Sequence, residues 1–354
     1  MSAGIASRVP TSTLDWLLSE ENPAVAALAR LDLLGEAPSP GLDALWARRN
    51  DYPPVARILD LMAGDGAWAP PARDYAKYGG SLWQIHFLGE LNADGGDERI
   101  KRAAEYAFSR QLPDGSWSCS NGRAYGSIPC LTANVGRALA RLGYARDARV
   151  IAALGHCVAL RRELGIIDCR QLNGYQLNGY CHMLTPKLLL FLAEVPREVW
   201  PDGAEALKDE CIALLRDKSV FRCLPAESAE FQQAIAKMNA AERQDYRERF
   251  LAEHPTLHYK EKPGWLRFGF PLSYNSDVLE ALSALSLHGE TMRKEYAEAF
   301  AIVRDAADEE MRWALRTSLN GKMLADVETK GKPSRWLTLR ALTVMQHFAE
   351  GPLA

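Results

Sequence analysis

The sequence predicts an all-α protein, folded as an α/α toroid in which repeated helical hairpins form an inner and an outer ring. Two observations carry this. No segment sustains the period-two alternation, rich in β-branched residues, that marks a strand, so strands should be few. One unit also recurs: a helix, an Asp-Gly turn closed by a bulky apolar residue, a loop, and a second helix that starts near a small or hydroxyl residue. The markers Trp68, Trp117 and Ile167 give a period near fifty residues. Units that cannot bury an apolar face alone must stack side by side, and five or six of them can close on themselves.

The elements follow in order. Thr11 or Ser12 is the expected N-cap of a helical segment carrying Leu14, Leu17, Leu18, Val25, Leu28, Leu31 and Leu34, interrupted near Asn22 and Pro23 and ended by Gly35. Helical patterning resumes at Leu42 to Ala47 and again from Pro53, a residue suited to a first helical turn. MAGDGAW breaks it. The helices Gly79 to Leu91, Glu98 to Arg110, one starting near Cys130, Asp147 to Leu164, and one starting near Cys181 come next, with QLPDGSW closing the second. Gly203 to Asp217, the FPLSYNSDVLEALSALSLHG helix, Lys294 to Trp313 and the GKPSRWLTLRALTVMQHF helix complete the series. Residues 225–263 interrupt the rhythm with a charged helical pattern, read as an insertion placed to cap or gate a cavity, or as a surface excursion. The whole chain, 1–354, is read as a single domain.

Composition narrows the function. A hydrophobic share of 47% and a charged share of 25% suit an ordinary globular protein with ample core material. A net charge of −3 without any block of like charges offers no footprint for phosphate, which argues against nucleic acid. The first residues lack the apolar stretch of a secretory signal and no apolar run is long enough to span a bilayer, so a cytoplasmic protein that is not integral to a membrane is expected. Seven cysteines, an odd number without an export signal, argue for reduced thiols over a disulfide framework.

Four of those thiols recur at matched positions in adjacent repeats: Cys119 with Cys169, and Cys130 with Cys181. Ten residues separate Cys119 from Cys130 in sequence, and eleven separate Cys169 from Cys181. Stacked repeats would make them neighbours, able to hold zinc tetrahedrally or, as the alternative, an iron–sulfur cluster. His182 is a further candidate ligand. The competing reading is unligated burial, since free cysteine is among the most buried residue types. Cys157 and Cys211 lie on apolar stripes of outer helices and are read as core, and Cys223 stays ambiguous. Equivalent points of the inner helices nominate residues lining a central cavity. Trp83, Asn134, Arg137, Lys187, Arg335 and Trp336 are assigned to substrate binding. Asp277 is assigned as a general acid or base, with Tyr274 and His86 as proton relays.

QLPDGSW, Gln111 to Trp117, resembles the Gln-x-x-x-Gly-x-Trp repeat of squalene and hopene cyclases; MAGDGAW is a partial second copy, and ADEEMRW, ending at Trp313, keeps only the tryptophan. The resemblance implies membership of the terpene cyclase and protein prenyltransferase β-subunit superfamily, and with it the toroid. The Asp-x-Asp-Asp acid of the class II cyclases is absent: DGGD at Asp94 to Asp97 sits in a turn, and DAADEE at Asp305 to Glu310 is expected on an outer helix. Cys181 and His182 are similar to the adjacent Cys-His pair by which lanthionine cyclases hold zinc, with Met183 in place of the glycine. PCLTAN and KGKPSRW resemble segments of uncharacterised cyclase-like bacterial proteins, a likeness that implies no reaction. Together these imply a metal-containing toroid enzyme acting on a small hydrophobic, isoprenoid-type substrate. The alternative is a non-catalytic toroid that binds a protein or peptide and carries a structural metal site made of the four cysteines.

Overall fold

The computed structural model describes residues 5–119, 126–164, 181–223, 229–254 and 260–350. It is all-α; among these residues the β-pairing is a two-residue antiparallel ladder between Arg222–Cys223 and Lys260–Glu261 and three isolated bridges. The helices are α1 Thr11–Leu18, α2 Pro23–Leu28, α3 Pro40–Ala47, α4 Pro53–Asp60, α5 Ser81–Glu90, α6 Glu98–Ser109, α7 Pro129–Leu139 and α8 Ala148–Leu164. They continue as α9 Leu184–Glu194, α10 Ala204–Asp217, α11 Ala229–Ile235, α12 Ala240–Glu253, α13 Val278–Leu287, α14 Lys294–Asp305 and α15 Arg335–Glu350. None of them is long and apolar enough to cross a membrane.

Two kinds of helix alternate. Every residue of α5 and of α7 is buried. Helices α6, α10 and α14 bury one stripe against that series and leave the other to solvent, as amphipathic helices must. The buried helices pack in succession, α5 on α7, α7 on α9, α9 on α13 and α13 on α15, and α15 then meets α2 and the π-turn Ala29–Leu33 that extends it. One continuous apolar cluster runs from Ile5 to Phe348.

The turns that end in tryptophan, Asp-Gly turns at Trp68 and Trp117 and a turn with Met311 at φ +55° before Trp313, join the two kinds of helix by a repeated hydrogen-bond pattern. The backbone N–H of Trp68, Trp117 and Trp313 donates to a hydroxyl in the first turns of the following buried helix: Ser81 at 3.0 Å, Thr132 at 3.1 Å and Thr338 at 3.0 Å. Each indole N–H donates backwards to the carbonyl ten residues earlier, Ile58, Ala107 or Val303, at 2.6 to 2.8 Å. Gly115 (φ +86°) must be glycine, because a Cβ there would stand 2.5 Å from the Ala152 carbonyl oxygen on α8. The counterpart expected at Ile167 lies outside the described residues.

Several boundaries differ from the sequence reading. Pro10 occupies the N-cap position of α1, while the Thr13 hydroxyl donates to the Glu310 carbonyl at 2.6 Å. Helix α14 stops at Asp305, so most of DAADEE lies in the turn towards Trp313 and not on an outer helix. The insertion is two helices, α11 and α12, separated before Asn239, whose side chain and Glu242 form a reciprocal capping box. They share a small core of their own, Phe231, Ile235 and Phe250.

Candidate functional site

Side chains three and four residues apart share one face of a helix, and this spacing stacks the chemistry of the buried helices in three layers. Along α5 the layers are marked by Trp83, His86 and Glu90; along α7 by Cys130, Asn134 and Arg137; along α9 by Lys187 and Glu194.

The first layer, at the N-terminal ends, is aromatic. Trp83 lies edge-on to Tyr274 at 5.0 Å and to Tyr78 at 5.2 Å, with Tyr75 at 5.9 Å, and its indole N–H donates to the Tyr75 carbonyl at 3.1 Å. The hydroxyls of Tyr75 and Tyr274 are 2.9 Å apart. The Lys77 ammonium stands 5.4 Å from the ring centroids of both Tyr78 and Tyr274. Segment 74–80 is held in place by Asp74, which accepts from Tyr106 and Arg110, and Tyr78 is bent into the left-handed region (φ +68°). Burial raises the pKa of both Tyr75 and Tyr274, and for Tyr274 the bond to Tyr75 raises it further. Both phenols are therefore neutral donors at pH 7. Cys119 and Cys130 are lesser contributors to the same upward shift. Cys130 is buried and Cys119 half-buried.

The second layer is a strap, residues 269–277, laid across the buried helices. Successive helices each supply one donor to its backbone: His86 to the Leu272 carbonyl at 2.6 Å, Asn134 to Ser273 at 3.0 Å, and Lys187 to Asn275 at 3.0 Å. A carbonyl only accepts, so the His86 Nε2 carries the proton. Burial first, with Lys187 and Arg137 adding to it, lowers the His86 pKa against the opposing pull of Glu90 and the Leu272 carbonyl. Lys187 also pairs with Glu280 at 2.6 Å, both side chains 3% exposed or less. Asp277 closes the strap as the N-cap of α13. One of its oxygens accepts from the Glu280 N–H at 2.8 Å and the other from Gly269 at 2.9 Å. Burial, then the Glu280 charge, pushes its carboxyl up to about 6.

The third layer is ionic. Arg137 donates to Glu90 and approaches Glu194 at 3.5 Å; Arg340 approaches Glu90 at 3.7 Å. Burial alone would raise the Glu90 pKa, but Arg137 foremost, then His86, Arg141 and Arg340, hold it well below the carboxylate range.

The nominated residues therefore divide. Trp83 and Tyr274 meet in the aromatic layer; His86, Asn134, Lys187 and Asp277 build and hold the strap; Arg137 belongs to the ionic layer. Trp336 stacks on Phe270 at 4.8 Å. Arg335 is turned away from all of these: its guanidinium bonds the Trp16 carbonyl at 3.1 Å and Glu21 at 2.6 Å. His182 stacks on Trp265 at 4.2 Å, and burial, then the Lys262 charge, lowers its pKa to about 3. Cys181 beside it is fully buried, and Cys169 lies outside the described residues. Among the described residues no three His, Cys, Asp or Glu side chains gather in a metal-binding group. Cys157 and Cys211 are core residues of α8 and α10, and burial pushes the Cys157 thiol up to about 12.

Sequence reasoning missed Tyr75, Tyr78 and Lys77, which sit in an irregular segment, and the acids Glu90, Glu194 and Glu280. The only local signal for the former was three ring or ammonium groups crowded into DYAKYGG just before a helix. Compared with known proteins, the chain matches no family model and no curated protein sequence.

Proposed function

We propose that the chain is a metal-containing α/α toroid of the terpene cyclase and prenyltransferase type, acting on a small hydrophobic, isoprenoid-type molecule in its aromatic layer. One observation carries the reading: the half-buried Tyr75 and Tyr274 hydroxyls meet at 2.9 Å in a wall of aromatic rings around Trp83, in the layer where Cys130, a member of the matched thiol set, is buried in the first turn of α7. The head-to-neighbour succession of α5, α7, α9, α13, α15 and α2 supports a toroid, as does the repeated Trp-to-hydroxyl bond.

Ring faces of Trp83, Tyr75, Tyr78 and Tyr274 suit an apolar chain and attract positive charge, as Lys77 over two of them illustrates. The neutral phenols donate hydrogen bonds and do not abstract protons. Asp277 and His86, both committed to strap backbone, act as positioning groups in this reading. Cys119 and Cys130, completed by Cys169 and Cys181, are the residues that would hold zinc or an iron–sulfur cluster. Such a centre would supply Lewis acidity if a coordination position is open, or a structural tie if it is closed.

Thermal unfolding with farnesol as the probe tests the substrate class. Saturable stabilisation of the wild type that weakens in Tyr274→Ala supports it, and no shift in the wild type with farnesol contradicts it.

A second reading, the protein-binding toroid with a structural metal, has one observation in its favour. His86, Asn134 and Lys187, the polar groups aimed at the interior, are spent on strap carbonyls and leave few convergent donors for a substrate.

A further inference from the structure

Beyond the strap, near the C-terminal ends of α5, α7 and α9, lies a cavity of about 190 Å³. Its walls include Arg137, Arg141, Arg340 and Glu194, with Leu190 and Leu339 as apolar surface. Arg137 is engaged by Glu90, but Arg141 comes no nearer than 3.7 Å to Glu194 and Arg340 no nearer than 3.7 Å to Glu90. Among the described residues, neither Arg141 nor Arg340 has a hydrogen-bond acceptor in range, although their side chains are only 15% and 16% exposed. A guanidinium carries five N–H donors in a planar fork, and with no acceptor on them among the described residues those of Arg141 and Arg340 are open to an acceptor that enters the cavity. Two of them facing one cavity form an acceptor-seeking pair.

The space is also reachable. A second, more open cleft of about 360 Å³ lies between the turns at 94–96 and 141–144, lined by Arg49, Lys101 and Arg141 among others. Arg141 borders both spaces, and the exposed Leu287 on the lining of the smaller one opens it to solvent directly.

We infer that this cavity is a binding site for a small organic monocarboxylate, separate from the aromatic layer, with Arg141 and Arg340 holding the carboxylate and the leucine wall holding its carbon skeleton. The planar fork of arginine matches a carboxylate in two parallel hydrogen bonds. The acids that share the lining, Asp32, Glu90, Glu194 and Glu280, disfavour a multiply charged anion by repulsion. The volume is that of about six water molecules, which sets the size as compact.

The test is calorimetric titration of the full chain with 4-methylpentanoate, its amide 4-methylpentanamide, and inorganic phosphate. The site predicts saturable binding of the carboxylate, at least about tenfold weaker for the amide and for phosphate, and a loss of about tenfold or more in Arg141→Gln and in Arg340→Gln. Equal binding of acid and amide, a preference for phosphate, or no carboxylate binding by the wild type would overturn it. The comparison of acid with amide uses the wild type alone, so it stands even where a variant folds poorly. It is also independent of whether farnesol binds in the aromatic layer.

Discussion

Tyr75 and Tyr274, 199 positions apart in the chain, join their hydroxyls at 2.9 Å. One comes from the irregular segment before α5 and the other from the strap before α13, so the bond ties the two together over Trp83. Replacing Tyr274 by Phe leaves a partly buried partner hydroxyl unmet and should cost about 1 to 3 kcal/mol in urea unfolding. Tyr75→Phe should cost a similar amount. The double variant should cost clearly less than the sum, since the two lose one shared interaction. Additive costs would mean that the hydroxyls do not interact in solution.

Lys187 is the strap residue with most at stake. Its removal leaves Glu280 charged and buried without its partner, a change that costs about 3 to 5 kcal/mol for pairs of this kind. Lys187→Met should therefore lower the unfolding midpoint sharply, and adding Glu280→Leu should recover much of the loss. A Lys187→Met protein as stable as the wild type would remove the strap from the list of structural keystones.

The pH dependence should contain two opposing contributions. Asp277 holds its proton more tightly folded, at about 6 against an ordinary 3.8, so the native state binds more protons between those values. Its contribution to stability is fully present below pH 4 and declines as pH rises to 6, by at most about 3 kcal/mol. His182 runs the other way. Its folded pKa of about 3 lies below the ordinary 6.5, so its contribution is present above pH 6.5 and is lost as pH falls towards 3. Stability of His182→Phe, measured against wild type from pH 4 to 7, should lose part of the acid-side decline. Asp277→Asn should lose part of the fall between pH 4 and 6. Unchanged slopes in both would contradict the burial of these groups.

The turn tryptophans are expected to be interchangeable in role. Trp117→Phe and Trp313→Phe each remove the indole donor from a buried carbonyl, Ala107 or Val303, that keeps a backbone N–H, and each lost hydrogen bond should destabilise by about 0.5 to 1.5 kcal/mol. A cost at only one of them would show that the repeat is not mechanically equivalent at its two ends.

Much of the architecture was legible because the repeat is local: an Asp-Gly turn, a tryptophan and a hydroxyl at the next helix start announce a helix pair without long-range information. Helix phase was harder. A residue advances 100° around a helix, so Arg335 and Trp336, adjacent in sequence, face different partners, and Arg335 turns to Trp16 on α1. The strap was read only as the entry to a helix, since nothing in GFPLSYNSD says that its carbonyls will be bonded by three other helices. Tyr75 was invisible for the same reason: its partner lies 199 positions away and is set by long-range packing, not by spacing. Glu90 and Glu280 escaped because an acid in an apolar helix announces its cation only once the neighbouring helix is in place.

The most direct test of the proposed function is metal content. Anaerobically purified wild type and Cys130→Ser should be compared by elemental analysis and visible absorption. The account predicts stoichiometric zinc, or iron with the colour of a cluster, in the wild type and its loss in the variant. Absence of stoichiometric metal from the wild type, or the same metal content in both, would contradict it.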